Sequence, residues 1–328
     1  MSLEWEQLIE SGSSVSVDGI DVHYYDEGTG DALVLLHGGG LTSCAELNWG
    51  AVVEPLSESC RVIAPDQPGF GFTAPRGERD HMPHERADFV AEFLGELGVK
   101  SATVAGNSRA GFQAVYLALE YPELVEKLIV VNAGSVSRKL VNGEVPGNLE
   151  SEEPTLAGAR EFLVEFRENH LVRPDYHPLF QSGITDEAVE RVYEIQQRNW
   201  EFTNARSRKI QTSAESLNKA LSYDRTHITD AATEVEQPAL VTWGTKPYEG
   251  WPRREEEPED DPDKKLVEIR PETLNRYKRD EGFDNGIRLF ERLPNGELHV
   301  WHDTKHHVMT DKAPRWCEVV SSFVTGEG

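Results

Sequence analysis

A serine set among small residues, in the string GNSRAG over Gly106–Gly111, has the makings of a nucleophile if a strand ends just before it and a helix begins just after it. Such a sharp turn presents the hydroxyl at the strand end and needs small neighbours, because the chain folds back closely on itself. Ala110 stands where that pattern has its second glycine, and Gly111 follows at once. The same string also suits an ordinary helix start, where a serine caps exposed N–H groups. His37-Gly38-Gly39-Gly40 offers backbone amides unscreened by side chains. Together with the N–H of Arg109, the residue after the serine, Gly39 and Gly40 could hold a developing oxyanion, each donor contributing about 3 kcal/mol. His37 is read as structural. A hydroxyl is barely ionised at neutral pH and needs a base, for which His302, His306 and His307 near the C-terminus all qualify. A histidine in the loop beyond a strand swings over a sheet edge more readily than one on the strand itself.

These groups meet only if successive strands end at one edge of a sheet. SVSVDGIDVHYYDEGTG alternates with period two around Asp18-Gly19 and predicts a hairpin. ALVLLHGGG, RVIAPDQPGFG, SATVAGNS, LIVVNAG, PALVTWG and ELHVW read as buried strands, most of them running into glycine or proline. Helical spacing appears from Arg86 to Leu97, in RAGFQAVYLALEYP and in APRWCEVVSSFV. The alternation predicts an α/β fold with a mostly parallel sheet covered on both faces. Residues 136–235 interrupt it with TLAGAREFLVEFREN and TDEAVERVYEIQQRNWEF, predicting a helical lid inserted between core segments 1–135 and 236–328. A second, acidic and proline-containing insertion over residues 250–284 predicts an exposed loop with one helix at PETLNRYKRD.

The 328 residues, 38% of them hydrophobic, suffice for one large core with an inserted subdomain. With 58 acidic against 33 basic residues the net charge is -25, which excludes nucleic acid and anionic membrane as expected partners. A small-molecule substrate is expected, with a homodimer left open as an assembly. The acidic surface fits a salt-loving organism's cytoplasmic protein, since the Debye length shrinks to about 3 Å near 1 M salt; an acidic protein of ordinary habitat is the alternative. The N-terminus lacks a basic start and an apolar run, and no later stretch approaches the roughly 18 apolar residues of a membrane span, so the expected location is cytoplasmic. Cys44, Cys60 and Cys317 lie far apart, which suggests neither a disulfide framework nor zinc, and no metal or organic cofactor is expected.

In the order HGGG, DQPGFG (Asp66 to Gly71), GNSRAG, a helical insertion, TWG and KHHVMTD, the chain resembles the α/β-hydrolase family over nearly its whole length. Within it, the carbon–carbon hydrolases of meta-cleavage pathways and the similar esterases look nearest. The resemblance implies a serine hydrolase that acts on a small carboxylic ester or activated ketone through acyl transfer from Ser108 to water. It favours His306 as base, because the acidic and aromatic residues five and ten positions on fall at Asp311 and Trp316, whereas counting from His307 gives Lys312 and Cys317. It also puts Asn107 and His307 near the substrate, the latter where an aromatic is usual. Pro247 stands at the family's acid position, so Glu249 is the expected third member, with Asp280 and Asp284 as alternatives. Should no acid complete the triad, the competing reading is a small-molecule binding protein that keeps the fold. Arg109 replaces a methionine, and its guanidinium either receives a substrate carboxylate or pairs with an acidic neighbour. Val192, with Arg191 beside it, stands where relatives carry a substrate-binding arginine.

Overall fold

The computed structural model describes residues 12–77, 79, 83–133, 151–212, 228–245 and 281–326. The predicted hairpin is β1 (Ser13–Val17) and β2 (Ile20–Glu27). Asp18 and Gly19 between them have φ of 48° and 83°, the left-handed pair whose twist matches that of the flanking strands. β3 (Ala32–Leu36), β4 (Arg61–Pro65), β5 (Ala102–Asn107), β6 (Val125–Val131), β7 (Ala239–Gly244) and β8 (Gly296–Trp301) complete an eight-stranded sheet of order β1-β2-β4-β3-β5-β6-β7-β8. β2 pairs antiparallel with both neighbours, and every pairing from β4 to β8 is parallel.

Alternate strand residues feed opposite faces. Leu33, Leu35, Ala105, Ile129 and Leu240 share a core with Trp49, Trp316 and Val320, while Val34, Leu36, Val104, Val130 and Val241 share one with Phe89, Phe93, Phe112 and Leu117. The second face is covered by α1 (Pro83–Glu96) and α2 (Ala110–Glu120). Helix α1 starts three residues before the predicted Arg86, at a proline, which the first helical turn tolerates. Between β6 and β7 the described chain is helical, with α3 (Leu156–Glu165), a π-turn (Phe166–His170), short 3-10 turns and α4 (Asp186–Thr212). α5 (Glu281–Phe290) begins inside the stretch expected to be loop up to residue 284, because Ile287 and Leu289 bury against the core that includes Trp243. The helix predicted over residues 271–280 lies outside the described residues. α6 (Ala313–Thr325) closes the first face.

Helix α4 docks on the core through polar as well as apolar side chains. Its Val189, Val192 and Ile195 join the first-face core. Arg191 Nη2 donates to the buried Glu46 at 2.9 Å and its guanidinium stacks 3.9 Å from the Phe72 ring centroid. Gln196 donates to the Thr42 hydroxyl at 3.2 Å and Asn199 to the Leu41 carbonyl at 3.0 Å. Removing one partner of a buried ion pair strands the other charge. Glu46→Leu is therefore expected to lower the unfolding free energy by about 3 kcal/mol, and Glu46→Leu with Arg191→Met to recover most of it. Urea unfolding midpoints of the two variants check this.

The chain leaves β3 for β4 on one side and reaches β5 on the other. The carboxyl ends of β3 and β5 thus flank the crevice in which open α/β sheets bind ligands.

Candidate active site

Ser108 sits in the one-residue gap between the end of β5 and the helix cap, with φ of 56°. A left-handed backbone at a non-glycine residue costs on the order of 1 kcal/mol or more and persists only where its surroundings enforce it. Here Ser108 N donates to the Val131 carbonyl at 2.9 Å, and Gly111 N donates to the Ser108 carbonyl at 3.2 Å. The N-cap of α2 is Arg109, and a capping serine would have extended backbone, so the helix-cap explanation of Ser108 is displaced. A Cβ on Gly106 would stand 2.1 Å from the Ala110 carbonyl oxygen, which explains the first glycine of the motif. Ala110 in place of the second is fully buried.

The loop after β3 packs on this turn. A Cβ on Gly38 would lie 3.2 Å from Ser108 Cβ, and one on Gly39 would lie 2.9 Å from Arg109 Cδ. None of Gly38, Gly39 and Gly40 has a left-handed φ, so these glycines serve close approach rather than an unusual backbone angle. Gly38 N donates to Asn48 Oδ1 at 3.2 Å, which leaves Gly39 and Gly40 as the loop amides to consider for an oxyanion. His37 is fully buried: its Nδ1 lies 2.9 Å from the Gly38 carbonyl and its Nε2 accepts from Gln67 N at 3.0 Å. Burial pushes its pKa down to about 4, and both ring nitrogens serve the backbone, as the structural reading requires. Asp66 completes the frame by accepting from Ala45 N at 2.7 Å, from Phe72 N at 2.9 Å and from His23 at 2.9 Å.

The loop after β8 carries His306, half-buried, with its carbonyl 2.7 Å from Asn132 Nδ2 at the end of β6. Asp311 fixes the same loop, accepting from Lys305 N at 2.8 Å and from Val172 N and Arg173 N at 2.6 and 2.9 Å. His170, His306 and His307 form a triangle with ring centroids 5.5 to 5.9 Å apart, and Phe166 packs on His307 at 4.9 Å. Burial pushes His306 down to about 4; burial and the neighbouring His306 and Lys305 push His170 to about 3. Burial, then the surrounding imidazoles, holds His307 well below its ordinary value. Among the described residues, no group of three or more His, Cys, Asp or Glu side chains could hold a metal ion, and no helix is long and apolar enough to cross a membrane.

The sequence profile of the alpha/beta hydrolase fold matches residues 31–312. The chain belongs to the α/β hydrolase family. Its similar proteins include the 2-hydroxy-6-oxo-6-phenylhexa-2,4-dienoate hydrolase of Burkholderia cepacia, 26% identical over 92% of this chain and 91% of that protein. The 2-hydroxy-6-oxo-2,4-heptadienoate hydrolase of Pseudomonas putida is 25% identical over 97% of this chain and 98% of its own length. Among solved structures, the meta-cleavage product hydrolase of Pseudomonas fluorescens superposes with a TM-score of 0.68 at 21% identity, covering 98% of this chain and 100% of that one, a likeness of fold.

Within this hydrolase, Ser108, the Gly38–Gly40 loop and Arg109 come together at the β3/β5 crevice, and the His306 loop is bonded to the end of the adjacent β6. Asn107 is buried and donates to the Val131 carbonyl at 3.1 Å. Arg109 is exposed, its side chain lying along Gly39. Glu249, Asp280 and the side chain of Asp284 lie outside the described residues. Arg191 is committed to Glu46 and Val192 to the core. Sequence reasoning passed over Asn132, His170 and Glu46; a lone asparagine closing the apolar run LIVVNAG was the one local hint.

With neutral His306 as the base, kcat/KM should stay flat from pH 8 to about 5 and fall as pH drops through about 4, rather than near the ordinary histidine value of 6.5. Stability responds in a different window. The unfolded chain takes up protons on these histidines near 6.5 and the folded chain only near 4 or below, so stability is full above about 6.5 and declines from there toward 4. Initial-rate pH profiles and urea midpoints at matched pH separate the two effects.

Proposed function

We propose that this α/β hydrolase cleaves a small carboxylic ester, or the carbon–carbon bond of an activated ketone, by acyl transfer through Ser108 to water. The observation that carries the reading is the left-handed Ser108 turn, packed against the glycine loop at the switch point of the sheet. In this mechanism His306 takes the hydroxyl proton as Ser108 Oγ attacks the carbonyl carbon. The amides of Gly39, Gly40 and Arg109 hold the charge that develops on the carbonyl oxygen. Collapse expels an alcohol, or a carbon leaving group able to accept the electron pair, which His306 protonates. Water, activated by the same imidazole, then releases the acid. Asn107 and His307 are proposed to face the substrate, Glu249 to complete the triad, and the helical segment between β6 and β7 to act as the lid. The excess of acidic residues, 58 against 33 basic, is read as adaptation to high salt.

The dienoate hydrolases among the relatives support the ketone branch. Purified protein should turn over p-nitrophenyl butyrate or a 2-hydroxy-6-oxo-dienoate at rates well above the uncatalysed reaction. Turnover of neither would contradict the proposal and favour the binding-protein reading.

A further inference from the structure

The base loop needs a fixed height above the sheet, and one side chain spans the gap. Asn132 follows the last residue of β6, is 6% exposed and has φ of 45°, a left-handed conformation that asparagine tolerates better than most residues. Its backbone N donates to the Thr242 carbonyl at 3.0 Å and its Oδ1 accepts from Gly244 N at 2.9 Å, so the β6–β7 ladder continues through its side chain. Its Nδ2 then donates to the Lys305 carbonyl at 3.2 Å and the His306 carbonyl at 2.7 Å. The preceding residue, Val131, accepts through its carbonyl from Ser108 N at 2.9 Å and from Asn107 Nδ2 at 3.1 Å. Two consecutive residues therefore hold the backbone of the nucleophile on one side and the backbone of the histidine on the other.

We infer that Asn132 is a positioning residue for the reaction: its carboxamide, locked to the β7 end, sets the place of the His306 loop relative to Ser108. Only a carboxamide supplies the acceptor that Gly244 requires and the donors that two carbonyls require. Asp311 anchors the loop from the other direction through Lys305 N. Gly244 lets the strand end approach so closely that a Cβ there would stand 2.6 Å from the Lys305 carbonyl. A misplacement of about 1 Å between reacting groups costs on the order of 10²-fold in rate. The inference rests on the catalytic assignment of Ser108 and His306, and its test keeps the two apart.

Two variants carry the test. Asn132→Gly suits the left-handed backbone, so it should fold, yet it deletes the tether. Asn132→Asp keeps the shape and the acceptor but turns a carboxylate toward two carbonyls. Both should lose about 10²-fold in kcat at pH 8 with KM within about twofold of the parent. Burial against the Lys305 and His306 carbonyls raises the introduced carboxyl above its ordinary value of about 3.9, so the aspartate variant alone should gain activity relative to the parent as the pH falls from 8 to 5 and a protonated carboxyl again donates, whereas a role in stability alone would not restore kcat in this way. A glycine variant with kcat within about threefold of the parent, or an aspartate variant whose loss acid does not reverse, overturns the inference. Ser108→Ala and His306→Ala in the same assay distinguish the failures: full turnover in either sinks the catalytic assignment itself.

Discussion

Ser108→Ala is expected to lower turnover by on the order of 10⁴-fold or more, with the fold intact and KM little changed. The size follows from the role. Loss of the hydroxyl removes the group that forms the covalent intermediate, and the remaining rate comes from oxyanion binding and proximity alone. The turn should hold, because the backbone bonds of Ser108 through its N–H and carbonyl remain. Alanine keeps the Cβ that packs beside Gly38 and accepts the same left-handed φ at similar strain. Steady-state rates and a thermal melt measured on one preparation check both halves. Residual turnover above about a tenth of the parent would mean another group carries the chemistry.

Gly106→Ala is expected to damage both stability and rate. The added methyl would stand 2.1 Å from the Ala110 carbonyl oxygen and 2.8 Å from Gly111 N, which are backbone atoms at the start of α2 and cannot rotate away. The turn must open, moving Ser108 off the glycine loop and straining its bond to the Val131 carbonyl. A cost of about 4 kcal/mol or more is expected, at the upper end for a single substitution, together with a loss of about 10²-fold in kcat from displacement. Gly40→Ala is the informative comparison, since a Cβ there meets only the Ser43 hydroxyl at 3.5 Å. Urea unfolding and kcat for the pair decide the matter: equal stability in the two variants would show that the turn is more pliable than these distances imply.

Local sequence carried the strands well. ALVLL and ATVAGN are apolar on both faces because a central parallel strand is covered on both sides, and that pattern is visible without a structure. It could not reveal their order, since the placement of β4 outside β3 comes from crossovers between distant segments. The sharp turn at Ser108 was legible because turn chemistry is local, written in Gly106 and Ala110 on either side. Asn132 acts by hydrogen bonds to residues that are close only in space, 173 and 174 positions away in sequence, so composition and spacing leave it anonymous, whereas Asp311 drew notice only by its place five residues after His306, and its bonds to Val172 N and Arg173 N were not visible there. The Glu46–Arg191 pair, 145 residues apart, was hidden for the same reason, and a glutamate in a chain with so many surface acids gives no local sign of burial. Arg191 was noticed for its place beside Val192, yet the structure commits it to holding α4 on the core.

The most direct measurement is the site and rate of labelling by a fluorophosphonate, read by peptide mass spectrometry in the parent and in His306→Ala. One adduct on the peptide containing Ser108 is predicted, forming on the order of 10³-fold or more slowly when the imidazole is gone. An adduct elsewhere, no adduct in the parent, or an equal rate in both proteins would contradict a serine nucleophile activated by His306.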